Sequence, residues 1–163
     1  MENGVVHIIC GKGKGKTSVA LGQAICAASE GKSVIIIQFL KQKQTEEIDF
    51  IRRLEPEIKL FRFEKSDKSF GELSEEEQKE EQQNLKNGVN FAKKVLVTEE
   101  CDVLILDEIL GLLEYGIVTA DEIRSLLQTN DGDVGVIMTG IYEGRELWDL
   151  ANMVTEMTTR DRS

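Results

Sequence analysis

The sequence is poor in several things at once: one proline (Pro56), one histidine (His7), one tryptophan (Trp148) and three cysteines among 163 residues. With a single proline and no repeats, nothing reads as a low-complexity linker or a domain boundary. Cys10, Cys26 and Cys101 are scattered and odd in number. That excludes a disulfide framework and metal-ligand spacing, and they read as reduced residues of a cytoplasmic protein. His7 falls within the first apolar run, where a structural role is expected rather than a ligand role. Basic side chains are also short, 20 Lys and Arg against 30 Asp and Glu, for a net charge of −10. A polyanion-binding face is therefore not expected, and nucleic acid is excluded as a partner. No apolar run approaches the ~20 residues of a membrane-spanning helix, and the N-terminus has no signal-peptide pattern.

What is present is an ordinary soluble composition, 40% apolar and 31% charged, in a length that suits one domain over 1–163. Runs rich in β-branched residues occupy 5–10, 33–39, 58–63, 103–107 and 134–138, with a weaker sixth at 153–157. Most are continuously apolar, as strands covered on both faces of a parallel sheet are. Helices are expected over 17–30, ending before Gly31, and over 45–54, ending before Pro56. Ser74 with Glu77 and Thr119 with Glu122 read as capping boxes opening two more. The acidic run 75–81 reads as the solvated first turns of the longer one, and 64–73 is the longest irregular segment. Leu85, Phe91, Leu126, Leu127 and Trp148 are expected in the core. Strands alternating with helices predict a three-layer α/β/α fold on a mostly parallel five- or six-stranded sheet.

Chemistry concentrates where the first strand meets the first helix, at Cys10-Gly11-Lys12-Gly13-Lys14-Gly15-Lys16-Thr17-Ser18. Glycines there turn the backbone and aim several N–H groups at one anion, and the helix adds its positive end. Lys16 would reach the phosphates of a nucleoside triphosphate, and the Thr17 hydroxyl is placed to hold magnesium. Cys10 stands where the usual P-loop pattern has its first glycine, and Lys14 is an additional basic residue. A second half of the site follows from Val103-Leu104-Ile105-Leu106-Asp107-Glu108, an apolar strand ending in two carboxylates. Asp107 is the expected ion partner, and Glu108 would polarise a water or complete the metal shell. The strand ends at Lys41 and at Thr139-Gly140 should face the same crevice.

With these pieces in place, the chain resembles the P-loop family of ATP:corrinoid adenosyltransferases over nearly its whole length. The resemblance rests on the 11–17 loop, Ile37-Gln38-Phe39-Leu40-Lys41, Leu106-Asp107-Glu108-Ile109, Thr139-Gly140 and Ala151-Asn152-Met153-Val154-Thr155-Glu156-Met157. It implies a P-loop NTPase-like (RecA-like) fold and transfer of the 5′-deoxyadenosyl group of ATP to Co(I) of a corrinoid, with release of triphosphate. Lys14, Lys16 and Glu108 would then be catalytic, and residues 11–18 (Gly11, Lys12, Gly13, Lys14, Gly15, Lys16, Thr17, Ser18) would bind ATP. Thr17, Asp107 and Glu108 would hold Mg2+ or Mn2+, and Phe70 would lie over the corrinoid. An electron donor such as a flavoprotein and a homodimer are the implied partners. Lys12 and Ser18 stand where the family commonly has asparagine and threonine, and the stretch around Phe70 has no tryptophan. Two other readings stay open: a P-loop ATPase or kinase using Glu108, and a corrinoid- or ATP-binding protein without turnover.

Overall fold

The structure is a computed structural model and describes residues 4–40, 46–63 and 68–163. The apolar runs become six strands: β1 Val6–Cys10, β2 Val34–Gln38, β3 Ile58–Arg62, β4 Val103–Asp107, β5 Gly135–Thr139 and β6 Met153–Glu156. They form one parallel sheet in the order β3-β2-β4-β5-β1-β6. β2, β4 and β5, the interior strands with continuous apolar sequence, are buried at every position. β6 lies at an edge and is only partly covered, which is why its sequence signal is weak.

Helices α1 Lys16–Ser29, α2 Glu46–Arg52, α3 Glu75–Thr98, α4 Ile109–Glu114 and α5 Ala120–Gln128 connect the strands. Pleating sends alternate strand residues to opposite faces. Ile9, Val34, Ile36, Ile58, Leu60, Val103 and Ile105 pack with Ala20, Ala24 and Ala27 of α1. Ile8, Ile35, Ile37, Leu104, Leu106 and Met138 pack with Leu85, Val95, Leu96, Ile123 and Leu126 of α3 and α5. The result is the three-layer arrangement expected.

Local signals explain the helix ends. The Ser74 Oγ accepts from the Glu77 N–H and the Glu77 carboxylate accepts from the Ser74 N–H, both at 3.2 Å, so the capping box forms. Thr119 caps α5 through the Glu122 N–H at 3.1 Å. Two expectations shift. Glu81 is not on a solvated face: it is 5% exposed, at the head of the inward stripe that continues through Leu85, Gly88, Ala92 and Val95. Its carboxylate accepts from the Asn84 side chain at 3.1 Å. Leu85 and Leu126 are core, whereas Phe91, Leu127 and Trp148 only flank it. Within the expected loop at 64–73, a short 3-10 turn forms at Phe70–Glu72. Thr45, Lys41 and residues 64–67 lie outside the described residues. Because every strand is parallel, all carboxyl ends collect along one edge of the sheet, and the loops carrying the motifs meet there.

Candidate nucleotide site

β1 ends at Cys10, and the chain turns through Gly11 at φ 98° and Gly15 at φ 98° before α1 begins. Gly15 is the N-cap, and no side chain caps the helix. The first-turn N–H groups thus point out of a helix end carrying partial positive charge. Lys16 is buried at 6% exposure, and its ammonium donates to the Gly13 carbonyl. The other side of the loop is anchored to the chain beyond β6. The Gly13 N–H donates to the Met157 carbonyl at 2.8 Å and the Lys14 N–H to Thr159 Oγ1 at 2.7 Å. A Cβ on Gly11 or Gly13 would stand 2.6 Å from the Met157 oxygen, so these two glycines permit the close approach. Lys12 and Lys14 extend into solvent, Lys12 pairing with Glu143 at 3.1 Å.

The loop meets β4 through one hydroxyl. Thr17 Oγ1 donates to Asp107, 3.0 Å from Oδ1 and 3.2 Å from Oδ2. Asp107 is 1% exposed and receives two more donors, Thr139 Oγ1 at 2.7 Å and Gln38 Nε2 at 3.2 Å. Arg62, Gln38 and Asp107 are register partners across β3, β2 and β4, and Thr139 ends β5 beside them. All four share strand parity with the α1-facing core, so a polar row lies under the α1 N-terminus. Gln38 is 2% exposed, and its Oε1 has no hydrogen-bond partner among the described residues. The Glu108 N–H donates to Thr139 Oγ1 at 2.9 Å.

Strained backbone surrounds this row. Leu40 (φ 51°), Glu108 (φ 69°) and Gly140 (φ 148°) follow the ends of β2, β4 and β5. Left-handed conformations at non-glycine residues persist where the surroundings enforce them. A Cβ on Gly140 would meet Leu110 and Gly111, and one on Gly111 would meet Leu40 at 2.7 Å. Three strand ends are thereby pressed together around the crevice.

The expected residues divide into two groups. Thr17, Asp107 and the Glu108 backbone meet at the polar row, Lys16 is buried against the loop backbone at Gly13, and Lys12, Lys14 and Ser18 face solvent. Phe70 lies apart: it packs against the core on the opposite face, edge-on to Tyr115 with ring centroids 5.1 Å apart. Phe61, Phe63 and Phe91 form a second aromatic group on that face. Thr139 faces the crevice as its strand end implies, whereas no local signal marks Gln38 or Tyr115 as part of a site. Gln38 ends β2 as Asp107 ends β4, so their shared strand phase was the available signal.

Among the described residues no cluster of three or more His, Cys, Asp or Glu could cage a metal. A threonine hydroxyl, one buried carboxylate and an orphaned amide oxygen instead fit magnesium. That ion keeps several waters and takes few protein oxygens beside substrate phosphates.

A strand, a glycine turn into an uncapped helix, a buried lysine and a threonine–aspartate pair across the sheet define a P-loop nucleotide-binding α/β protein. The chain belongs to the family of ATP:corrinoid adenosyltransferases BtuR/CobO/CobP, whose sequence model matches residues 2–162. It is 31% identical over 157 residues to the corrinoid adenosyltransferase CobA of Salmonella typhimurium, covering 96% of this chain and 77% of that one. Corrinoid adenosyltransferases of Escherichia coli K12 and Pseudomonas aeruginosa are each 28% identical, covering 96% of this chain and 77% and 76% of theirs. Among solved structures, a KaiC-like protein of Pyrococcus horikoshii superposes with a TM-score of 0.58 at 16% identity, covering 98% of this chain and 75% of that one. This likeness concerns the fold.

Proposed function

We propose that this protein transfers the 5′-deoxyadenosyl group of ATP to the Co(I) of a corrinoid and releases triphosphate. The observation that carries the reading is the buried Lys16 at the uncapped end of α1, joined through Thr17 to Asp107, in a chain of this family. Co(I) supplies the electron pair that attacks C5′ of ATP. The C5′–O5′ bond breaks, and its electrons leave with the triphosphate. No base is required, because the nucleophile carries no proton to remove. The protein must hold C5′ against cobalt and stabilise charge gathering on the leaving oxygens.

Lys16, the first-turn N–H groups of α1 and the exposed Lys14 ammonium suit that charge. Thr17 and Asp107, with Glu108 beside them, would hold a magnesium or manganese ion. Such an ion would neutralise part of the triphosphate charge. Phe70, edge-on to the half-exposed Tyr115, offers an apolar surface for the corrinoid. A one-electron donor such as a flavoprotein would supply the Co(I) state, and a homodimer would close the site. The reaction belongs in the cytoplasm, where reduced thiols and ATP are available.

The test is anaerobic mixing of the protein with Mg-ATP and chemically reduced cob(I)alamin. Equal amounts of light-sensitive alkylcobalamin and free triphosphate are expected, with neither formed by Lys16→Ala. Release of phosphate or ADP whether or not corrinoid is present would replace this reading with an ATPase or kinase. Tight binding without transfer would leave a binding protein.

A further inference from the structure

We infer that Gln38 is a positioning residue of the cation–triphosphate site, steadying Asp107 through Nε2 and offering Oε1 to the hydration water of the bound cation. The inference rests on the proposal that a hydrated divalent ion sits between Thr17, Asp107 and the triphosphate.

Geometry fixes which end of the amide points where. A carboxylate only accepts, so the Gln38 atom 3.2 Å from Asp107 Oδ2 must be the N–H donor. Oε1 is then the remaining polar atom, held beside the carboxylate by the same planar group. The backbone around it is already committed. The Gln38 carbonyl accepts from the Phe63 N–H at 3.4 Å, and the next N–H, of Phe39, donates to the Asp107 carbonyl at 2.9 Å. At 2% exposure, bulk solvent does not reach Gln38 freely. Buried polar atoms are satisfied as a rule, so an orphaned acceptor at a site calls for a ligand that donates.

The chemistry of the ligand narrows the donor. Triphosphate oxygens are acceptors and cannot satisfy Oε1. The hydroxyls of Thr17 and Thr139 already donate to Asp107, and the Nε–H of Arg62, the register partner on β3, makes no hydrogen bond to Oε1. Magnesium dehydrates reluctantly and brings waters whose polarised O–H groups are strong donors. One of these beside Asp107 would complete the amide and set the angle of the carboxylate toward the ion. Such outer-shell partners fix the orientation of the groups that hold a metal.

The experiment compares Gln38→Met and Gln38→Glu with the full-length parent, measuring ATP affinity and melting temperature with EDTA and with Mn2+. Free Mn2+ is counted by electron paramagnetic resonance. Gln38→Met should hold Mn2+ in the presence of ATP about tenfold more weakly, while ATP affinity in EDTA stays the same. Gln38→Glu places a second carboxylate beside Asp107. It should melt lower without the cation and gain more than the parent when Mn2+ and ATP are added. A merely structural glutamine would lower both variants equally with and without Mn2+, and that result would overturn the inference. So would an unchanged Mn2+ affinity, or a loss of ATP affinity in EDTA, which would assign Oε1 to the ribose or adenine. Neither readout uses corrinoid. Failure of adenosyl transfer with Mn2+ coupling intact would therefore sink the transferase reading and leave Gln38 in its role.

Discussion

Thr139 does two jobs with one hydroxyl: it donates to Asp107 Oδ1 at 2.7 Å and accepts the Glu108 N–H at 2.9 Å. It is fully buried, so its loss strands a carboxylate oxygen and a backbone donor together. Thr139→Val keeps the shape and removes both bonds. The expected cost is about 2 kcal/mol of unfolding free energy in urea, with weaker Mg-ATP binding, and Thr139→Ser should restore most of each. A valine variant as stable and as tight-binding as the parent would show that Asp107 is held without it. The contrast with the loop explains which residues the sequence disclosed. The placement of Lys16 and Thr17 is legible because it follows from a contiguous pattern between a strand and a helix. Gln38 and Thr139 reach Asp107 only through strand register, and register depends on pairing across distant segments. The left-handed Leu40 and Glu108 carry no local sign at all, since neither residue type favours φ above zero.

The β1–α1 loop is shaped from outside by the chain that follows β6. Gly13 has an ordinary φ, so its need for glycine is steric: a Cβ would lie 2.6 Å from the Met157 carbonyl carbon and oxygen. Those are backbone atoms and cannot rotate away. Gly13→Ala should therefore displace the loop, lowering ATP affinity at least about tenfold while the sheet and its melting temperature change little. Gly22, inside α1 with nothing within 4 Å of its Cβ position, is the control. Gly22→Ala should stabilise by about 0.5–1 kcal/mol without altering ATP binding. Equal effects of the two substitutions on affinity would remove the steric argument. Most elements were readable because buried parallel strands are continuously apolar and helix caps are short, local signatures. The same locality hides the position of Glu81. Within its acidic run it looks solvated, but the 3.6-residue period that places Leu85 and Ala92 inward also turns Glu81 inward.

Across the whole molecule, the edge strand β6 is the least buried part of the sheet, and one polar contact joins it to β1 and α1. His7 on β1 is 5% exposed, its Nε2 lies 2.8 Å from Thr155 Oγ1 on β6, and its Nδ1 lies 3.5 Å from Gln23 on α1. The ring lines a cavity of about 230 Å³ with Val5, Gln23, Cys26 and Met153. None of these neighbours is acidic. Burial is accordingly the leading influence and lowers the His7 pKa below its usual 6.5, while the Gln23 contact opposes it. The unfolded chain then takes up this proton at a higher pH than the native protein does. Stability from His7 is complete above 6.5 and is lost as pH falls through the depressed native value. Glu77, Glu146 and Asp149 have pKa values lowered from ordinary carboxylate values by their hydrogen-bond partners, so their losses come at lower pH. Urea midpoints taken near pH 7.5 and near pH 5.5 should fall on acidification for the parent and much less for His7→Gln. That variant still reaches toward Thr155 but has no titrating ring. If both proteins lose the same stability over that interval, the junction of β1, β6 and α1 is not what acid loosens. The fall must then originate elsewhere in this acidic chain.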